Sequence, residues 1–111
     1  MPVSPDFRTF VLEQLARVAP GVRSRSMFGG IGIYSQNLFF ALIDNDTLYF
    51  KVDNSNRPDF EDLGLGPFRP FGEGGEIMQY YEIPAGIIDD VDALQPWVDK
   101  AIDVAARKKR G

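Results

Sequence analysis

The chain has 111 residues, of which 44% are hydrophobic, and its formal net charge at neutral pH is −4. This length suits a single domain with one hydrophobic core, spanning residues 1–111. The chain contains neither cysteine nor histidine. Disulfides, thiolate metal sites and mechanisms that need an imidazole base are therefore excluded. We expect no cofactor, no bound metal and no catalytic residue.

The first residues do not combine a basic stretch with an apolar one, as a signal peptide would, and no apolar run is long enough to cross a membrane. The sequence therefore predicts a cytoplasmic protein without a membrane partner. The negative net charge argues against a surface that binds nucleic acid over its whole area, because that mode requires a clustered positive field.

The first predicted element is a helix that starts after Ser4. Serine is a good N-cap, and Pro5 suits the first helical position. Pro20-Gly21 ends the helix. Its apolar residues recur on one face: Phe7, Val11, Leu15 and Val18.

Short apolar runs rich in aromatic and β-branched residues follow, which predicts strands at Arg25 to Tyr34, Leu38 to Ile43 and Thr47 to Val52. The connections at 35–37 and 44–46 are short and contain Asn and Asp, which tolerate left-handed turns. We therefore expect an antiparallel three-stranded meander.

A short second helix is predicted next. Asp53 or Asn54 would cap it, Phe60 and Leu63 would point inward, and Gly64 would end it.

The remaining elements are a brief edge strand at 66–71, a glycine-rich loop at 72–76, a strand at 77–83 and a long helix. Asp92 and Gln95 form a capping pair for that helix, whose apolar stripe runs from Leu94 to Ala105. The predicted fold is α+β, with two layers in which helices pack on an antiparallel sheet. Its order is helix, three strands, helix, two strands, helix.

Side-chain alternation in the strand at 47–52 predicts which sheet face stays free of helices. Leu48, Phe50 and Val52 would meet the helices, whereas Tyr49 and Lys51 would face away. A contiguous aromatic patch of this kind often marks a protein interface. The alternative is that Tyr and Lys are ordinary half-exposed strand residues.

The later strand would add outward side chains to the same face, and the Phe39-Phe40 doublet would place one ring on each side of the sheet. The partner is then a protein or a second copy of the chain, which would make a homodimer. The candidate interface consists of Phe39, Tyr49, Lys51, Met78 and Tyr80.

Two other functions remain open. A nucleic-acid accessory role, which the acidic middle of the chain disfavours, would use Arg23, Arg25 and the basic tail Arg107, Lys108, Lys109 and Arg110. An enzyme would require Lys51 to be buried beside a pocket with a lowered pKa, acting with Tyr49 or a carboxylate.

The run Gly29-Gly30-Ile31-Gly32 is not a phosphate-binding loop, because a strand follows it where that loop requires a helix N-terminus. We expect a glycine bend or bulge at a close approach of another chain segment. Asp44, Asp46 and Asp53 do not have the spacing of a calcium-binding loop and are predicted to serve turns and caps.

Several spaced segments resemble the N-terminal domain of the TfoX/Sxy competence-regulator family. They cover nearly the whole chain in the family's order: residues 25–34 (RSMFGGIGIY), 48–53 (LYFKVD), 56–60 (NRPDF), 67–68 (PF) and 80–84 (YYEIP).

The resemblance implies a fold similar to type III secretion chaperones, no enzymatic activity, and a part in transcription and competence regulation. The competence regulators themselves also carry a C-terminal domain with helix-hairpin-helix character. The chain ends at Gly111 without it, so the competence role stays open. The chaperone-like fold also makes self-association an expectation by analogy.

Overall fold

A computed structural model describes residues 4–27, 29–68 and 79–110. In this part of the chain, four helices accompany one antiparallel sheet whose five strands lie side by side in chain order. The elements are α1 (Pro5–Val18), β1 (Val22–Met27), β2 (Gly30–Ser35), β3 (Leu38–Asp44), β4 (Thr47–Lys51), α2 (Arg57–Glu61), β5 (Tyr80–Ile83), α3 (Ala85–Ile88) and α4 (Val91–Arg110).

The core lies between one face of the sheet and the helices. Val11 and Leu15 of α1 and Leu94 and Val98 of α4 are fully buried against that face, together with the strand residues that alternate toward it. The predicted two-layer α+β class is therefore confirmed. The observed order contains one more helix than predicted, because α3 lies between β5 and α4.

Helix α1 follows the sequence prediction. The hydroxyl of Ser4 accepts a hydrogen bond from the backbone N–H of Phe7 at 3.3 Å, which satisfies one of the free donors of the first turn. The apolar face is buried at Val11, Leu15 and Val18.

The single strand predicted from Arg25 to Tyr34 is wrong, because the chain reverses within it and forms β1 and β2. Gly29 has φ +79°, a conformation that glycine adopts without steric cost. Gly30 lies so close to β3 that a Cβ there would be 2.4 Å from the carbonyl oxygen of Ile43. The predicted glycine bend at a close approach is confirmed.

The two later hairpins have two-residue turns. Gln36 and Asn37 have positive φ angles, as do Asn45 and Asp46. Consecutive left-handed residues match the right-handed twist of the flanking strands. Both hairpins were predicted, and the Asn and Asp residues are what made them visible in the sequence.

β3 contains one extra residue relative to β2. Ile33 pairs with Ala41 and Tyr34 pairs with Phe39, so Phe40 has no paired residue on β2. Such a bulge sends two neighbouring side chains to the same face of the sheet. Phe40 and Ala41 are therefore both buried on the helix side, and Phe39 points to the other side. The prediction that the phenylalanine doublet spans the sheet is confirmed.

The second helix differs from its prediction at both ends. Asn56, rather than Asp53 or Asn54, precedes α2. The buried side chain of Asn56 stabilises the connection between β4 and α2. It accepts a hydrogen bond from the backbone N–H of Asp53 at 2.9 Å and donates one to the carbonyl of Lys51 at 3.1 Å. Phe60 points inward as predicted, but Leu63 is 54% exposed, because it lies beyond the helix in the turn that Gly64 completes with φ +74°.

The last third contains further differences. The predicted edge strand at 66–71 is present as a bridge between Pro67 and Tyr81, and its end lies outside the described residues, as do the loop at 72–76 and the first residues of the strand predicted at 77–83. Asp90, and not the predicted Asp92 with Gln95, caps α4. Its carboxylate accepts hydrogen bonds from the N–H groups of Asp92 and Ala93 at 3.0 and 3.3 Å.

Among the helices of the described residues, none combines the length and the apolar character that crossing a bilayer requires.

Replacing Gly30 by alanine tests the close approach of β2 to β3. The new methyl group would overlap the backbone of Ile43, which cannot move without disturbing the sheet, so we expect a loss of about 2 kcal/mol in the free energy of unfolding. Urea denaturation measures it. The matched control is Gly86→Ala in α3, where a Cβ meets nothing within 4 Å and the change should be neutral or stabilising. Equal stability of both variants would contradict the packing described here.

Candidate interaction surface

The sheet face away from the helices is called the open face below. The faces of β1 are fixed by Ser24, whose hydroxyl accepts a hydrogen bond from the Arg8 guanidinium of α1 at 3.2 Å. Side chains alternate along a strand, so Arg23 and Arg25 lie on the open face. Cross-strand pairing extends this assignment over the sheet. The open face comprises Arg23, Arg25, Met27, Gly30, Gly32, Tyr34, Phe39, Leu42, Asp44, Thr47, Tyr49, Lys51, Tyr80 and Glu82.

One line of side chains crosses all five strands at one end of the open face and is called the aromatic row. Arg23 pairs with Tyr34 and Tyr34 with Phe39, while Lys51 pairs with Tyr80. The rings of Tyr34 and Phe39 are stacked with centroids 5.0 Å apart, and those of Phe39 and Tyr80 are 5.6 Å apart. The row thus combines three aromatic rings with two cations.

Lys51 joins the two halves of the aromatic row. Its Nζ lies 5.1 Å from the ring centroid of Phe39 and 5.7 Å from that of Tyr80, within the range of cation–π attraction. Burial lowers the pKa of Lys51, and the positive charge of Lys108 lowers it further. The ammonium is therefore close to aromatic rings and to a second cation.

A second line, the central row, lies next to the first. It runs Arg25, Gly32, Leu42, Tyr49 and Glu82 from β1 to β5, and each neighbouring pair is directly opposite in register. The row has opposite charges at its two ends and an aromatic and an aliphatic side chain between them.

Gly32 leaves a gap in the central row that neighbours fill in part. A Cβ at Gly32 would be 2.7 Å from the terminal methyl of Met27 and 3.3 Å from the ring of Phe39. On the other side of Leu42, the ring of Phe68 packs on that of Tyr49 with centroids 4.8 Å apart. Between Arg25 and Glu82, the central row is therefore covered by apolar and aromatic side chains.

Two tyrosines on this face are less acidic than free tyrosine. Burial raises the pKa of Tyr49, and the nearby carboxylates of Glu82 and Asp44 raise it further. Burial is also the main cause that raises the pKa of Tyr80. Both phenols therefore stay neutral at physiological pH.

The structure brings together four of the five predicted interface residues, Phe39, Tyr49, Lys51 and Tyr80, on one face, while Met78 lies outside the described residues. Tyr80 was expected to be an outward, accessible residue, but it is only 7% exposed. It does lie on the open face, where Phe39 and Lys51 cover its ring.

Sequence reasoning missed Tyr34 and Leu42 as members of this surface. Tyr34 fell in the strand whose internal turn was overlooked, and Leu42 looks like any core residue of an apolar strand. Only the pairing register assigns both to the open face.

The candidate nucleic-acid residues form two groups. Arg23 and Arg25 lie on the open face of β1, whereas Arg107, Lys108, Lys109 and Arg110 occupy the last turn of α4. The guanidinium of Arg107 donates to the carboxylate of Asp53 at 3.0 Å and to the hydroxyl of Ser55 at 2.7 Å. Although burial acts to raise it, hydrogen bonds from Ser55 and Arg107 lower the pKa of Asp53 overall. Arg107 therefore has a partner within the chain.

A family model described as the TfoX N-terminal domain matches residues 13–105. The chain belongs to the TfoX N-terminal domain family. The resemblance predicted from the spaced segments is thereby confirmed over most of the chain. A comparison with curated proteins found no match. In this TfoX N-terminal domain, the matched range begins within α1 and ends within α4, so it includes both rows of the open face.

Removing the hydroxyl of Tyr80 in this TfoX N-terminal domain tests whether that side chain is buried on the open face. A folded-state pKa raised above the ordinary 10.0 favours the neutral phenol. Below about pH 10, the buried neutral Tyr80 therefore makes its full contribution to the free energy of unfolding. This contribution is lost as the pH rises through the folded-state pKa of Tyr80. In urea unfolding, we expect the free energy of unfolding of Tyr80→Phe to fall less between pH 8 and pH 11 than that of the parent. The effects of Tyr49 and Lys51 are common to both proteins and cancel. Equal losses would contradict the burial of this phenol.

Proposed function

We propose that this TfoX N-terminal domain is a non-enzymatic regulatory module that acts through protein contacts made by the open face. The observation that carries the proposal is that Tyr34, Phe39 and Tyr49 are half-exposed between the charged edges of a sheet face that no described helix covers. Leu42 between them is only 8% exposed. Its role would be in transcription or competence regulation, as the resemblance to the family's namesakes suggests.

The composition of the open face supports protein binding. Aromatic residues, methionine and arginine are enriched in protein interfaces, and tyrosine and arginine supply many of the residues that dominate binding energy. Tyr34, Phe39 and Tyr49 are half-buried, so part of each ring is still available to a partner, and Arg23 and Arg25 are exposed at the rim. This pattern of a ring-rich centre with a charged edge is typical of a binding surface.

Nucleic-acid binding is the second candidate, because Arg23 and Arg25 share a face with aromatic rings. Base recognition on a sheet needs free ring faces beside cations. Here Tyr34 and Phe39 stack on each other, Lys51 lies over Phe39, and Tyr80 is buried. Glu82 also adds a carboxylate to the same face. These features favour a protein partner.

The aromatic row is not proposed as a catalytic site. Within the described residues, the Lys51 ammonium contacts rings and has no hydrogen-bonded acid or base. Its pKa is lowered, but the geometry for proton transfer requires a group at hydrogen-bond distance.

Capture from nuclease-treated host extract tests the proposed function. We expect a protein that is retained by the parent domain, and whose purified form binds at least about tenfold more weakly to Tyr49→Glu, because an acid there would be desolvated in the contact. Leu63→Glu, which replaces an exposed apolar residue outside the open face, is the matched control and should bind normally. Calorimetry measures the affinities.

Two results would contradict the proposal. Equal binding of a purified partner by the parent and Tyr49→Glu would place the contact elsewhere. Loss of all retained proteins after nuclease treatment, with direct and salt-sensitive binding of nucleic acid, would favour the second candidate.

A further inference from the structure

We propose that the outer edge of β1 binds an extended acidic segment of a partner protein, which joins the sheet as a further strand. This contact is separate from the one proposed for the open face, because it uses the main chain of β1 rather than the side chains on the sheet. Its basis is an unpaired hydrogen-bonding edge that carries arginines without acidic partners.

The parity of the hydrogen bonds shows which main-chain groups of β1 point outward. The backbone N–H of Gln36 donates to the carbonyl of Gly21 at 3.4 Å, next to the pair of Val22 and Ser35. In an antiparallel pair, residues that bond to the neighbouring strand alternate with residues that point away from it. Every second residue of β1, beginning with Val22, therefore directs its N–H and C=O away from β2.

The outward residues are Val22, Ser24 and Ser26. Within the described part of the chain, no other residue forms a hydrogen bond with their main-chain groups. β1 is the first strand of the sheet, and its paired neighbour is β2. An unpaired edge of this kind is a template for the addition of a strand from another chain.

The opposite edge of the sheet is closed by the chain itself. The backbone N–H of Phe68 donates to the carbonyl of Tyr80 in β5 at 2.7 Å. On the same side, the N–H of Glu82 donates to the carbonyl of Gly66 at 3.1 Å. Of the two edges in the described residues, β1 is therefore the one that is free to accept a strand.

Two cations determine which kind of strand fits the edge. Arg23 and Arg25 are exposed, and their paired neighbours on β2 are the uncharged Tyr34 and Gly32. Neither arginine belongs to an ion pair with any described residue. In an added antiparallel strand, the residues opposite both arginines occupy non-hydrogen-bonded pairs, whose side chains approach most closely. Acidic residues two positions apart would therefore meet both guanidinium groups.

A third cation lies on the helix side of the same strand. The Arg8 guanidinium donates to the hydroxyl of Ser24 at 3.2 Å, and it too has no ion pair among the described residues. Arg8 lines a cleft of about 480 Å³ together with Thr9 and Ser26, and none of the described residues that line it is acidic. Both sides of the β1 edge therefore favour a partner with negative charge.

Other occupants fit this edge less well. If two copies of the chain paired through β1, arginine would face arginine, and charged residues on an edge strand commonly prevent such pairing. A nucleic-acid backbone would pair with the arginines, but its phosphates offer no donors to the outward carbonyls of β1. An acidic strand supplies donors, acceptors and negative charge together.

A synthetic peptide tests the site on the full chain. The probe is a blocked, fluorescent peptide of about eight residues in which glutamate alternates with threonine. We expect the parent chain to bind it with a dissociation constant of roughly 10 to 500 μM, measured by fluorescence anisotropy. Amide hydrogen exchange should slow at Val22, Ser24 and Ser26, because their N–H groups gain acceptors.

Ser26→Pro tests the main-chain contact. Proline lacks the N–H that the added strand would use, and it is tolerated on an edge strand where that N–H points to solvent. Ser26→Ala removes the same hydroxyl but keeps the N–H, so it is the matched control. We expect Ser26→Pro to bind the peptide about tenfold more weakly and Ser26→Ala to bind it like the parent. Circular dichroism establishes that each variant is folded.

Reversing both arginines tests the charge. Arg23→Glu combined with Arg25→Glu should weaken binding about thirtyfold, because two attractions become two repulsions. The same variant should bind a peptide that carries lysine in place of glutamate, which the parent rejects. The matched control reverses two exposed charges at the end of α4, Lys109→Glu with Arg110→Glu, and should bind like the parent. Tyr49→Glu should also bind normally, because β4 lies three strands away.

Three results would overturn the inference: a parent chain that does not bind the acidic peptide at millimolar concentration, equal binding by Ser26→Pro and Ser26→Ala, or a doubly reversed variant that does not prefer the lysine peptide. Displacement of the peptide by single-stranded nucleic acid that binds equally to Ser26→Pro would also contradict it, and would favour nucleic acid at this edge. None of these results affects the proposed function, which depends on Tyr49 and not on the edge of β1.

Discussion

The single extra residue in β3 decides which aromatic side chains reach the open face. Strict alternation from Ala41 would place Phe40 on the open face and Phe39 toward the helices. The bulge instead buries Phe40, whose ring lies 6.1 Å from that of Phe50 in the core. Phe39 is thereby returned to the open face between Tyr34 and Lys51. The aromatic row therefore depends on the same irregularity that places Phe40 in the core.

The helices are stabilised by packing on the core face of the sheet and by hydrogen bonds between one another. The side-chain amide of Gln14 donates to the carbonyl of Ile88 at 2.8 Å, and that of Gln95 donates to the carbonyl of Val18 at the same distance. These bonds tie α1 to α3 and α4, while the ring of Phe60 packs on Trp97 of α4 at 4.8 Å. These contacts hold the helices on the core face of the sheet, so none of the described helices covers the open face. Binding there would not require the core to open.

Local chemistry made much of the fold predictable from the sequence. Ser4 and Pro5 specified the start of α1, the Asn-containing turns specified two hairpins, and alternation in β4 separated Tyr49 and Lys51 from the core. The failures have physical causes too. A tight turn at Gly29 sits inside a continuous strand-like run, and Leu63 looks like a core residue although the chain has already left the helix there. Asp90 caps α4 instead of Asp92, because the helix begins at Val91 and the apolar stripe begins only at Leu94.

The candidate surface was predictable only in part. Alternation within one strand identifies which residues leave the core, but it cannot say which residues of other strands become their neighbours. The pairing of Arg25 through Gly32 and Leu42 to Glu82 depends on the turn at Gly29 and on the bulge at Phe40, both of which are set by tertiary packing. The charge relation across the sheet, with Arg25 on β1 and Glu82 on β5, therefore emerges only from the assembled register.

The use of the open face as a contact surface can be tested most directly by nuclear magnetic resonance of the parent chain titrated with the purified protein that capture identifies. Methyl and aromatic signals would be followed at each concentration of that protein. We expect the largest shifts at Tyr34, Phe39 and Tyr49, with the buried signals of α1 and α4 unchanged. Shifts confined to the helices would contradict the use of the open face.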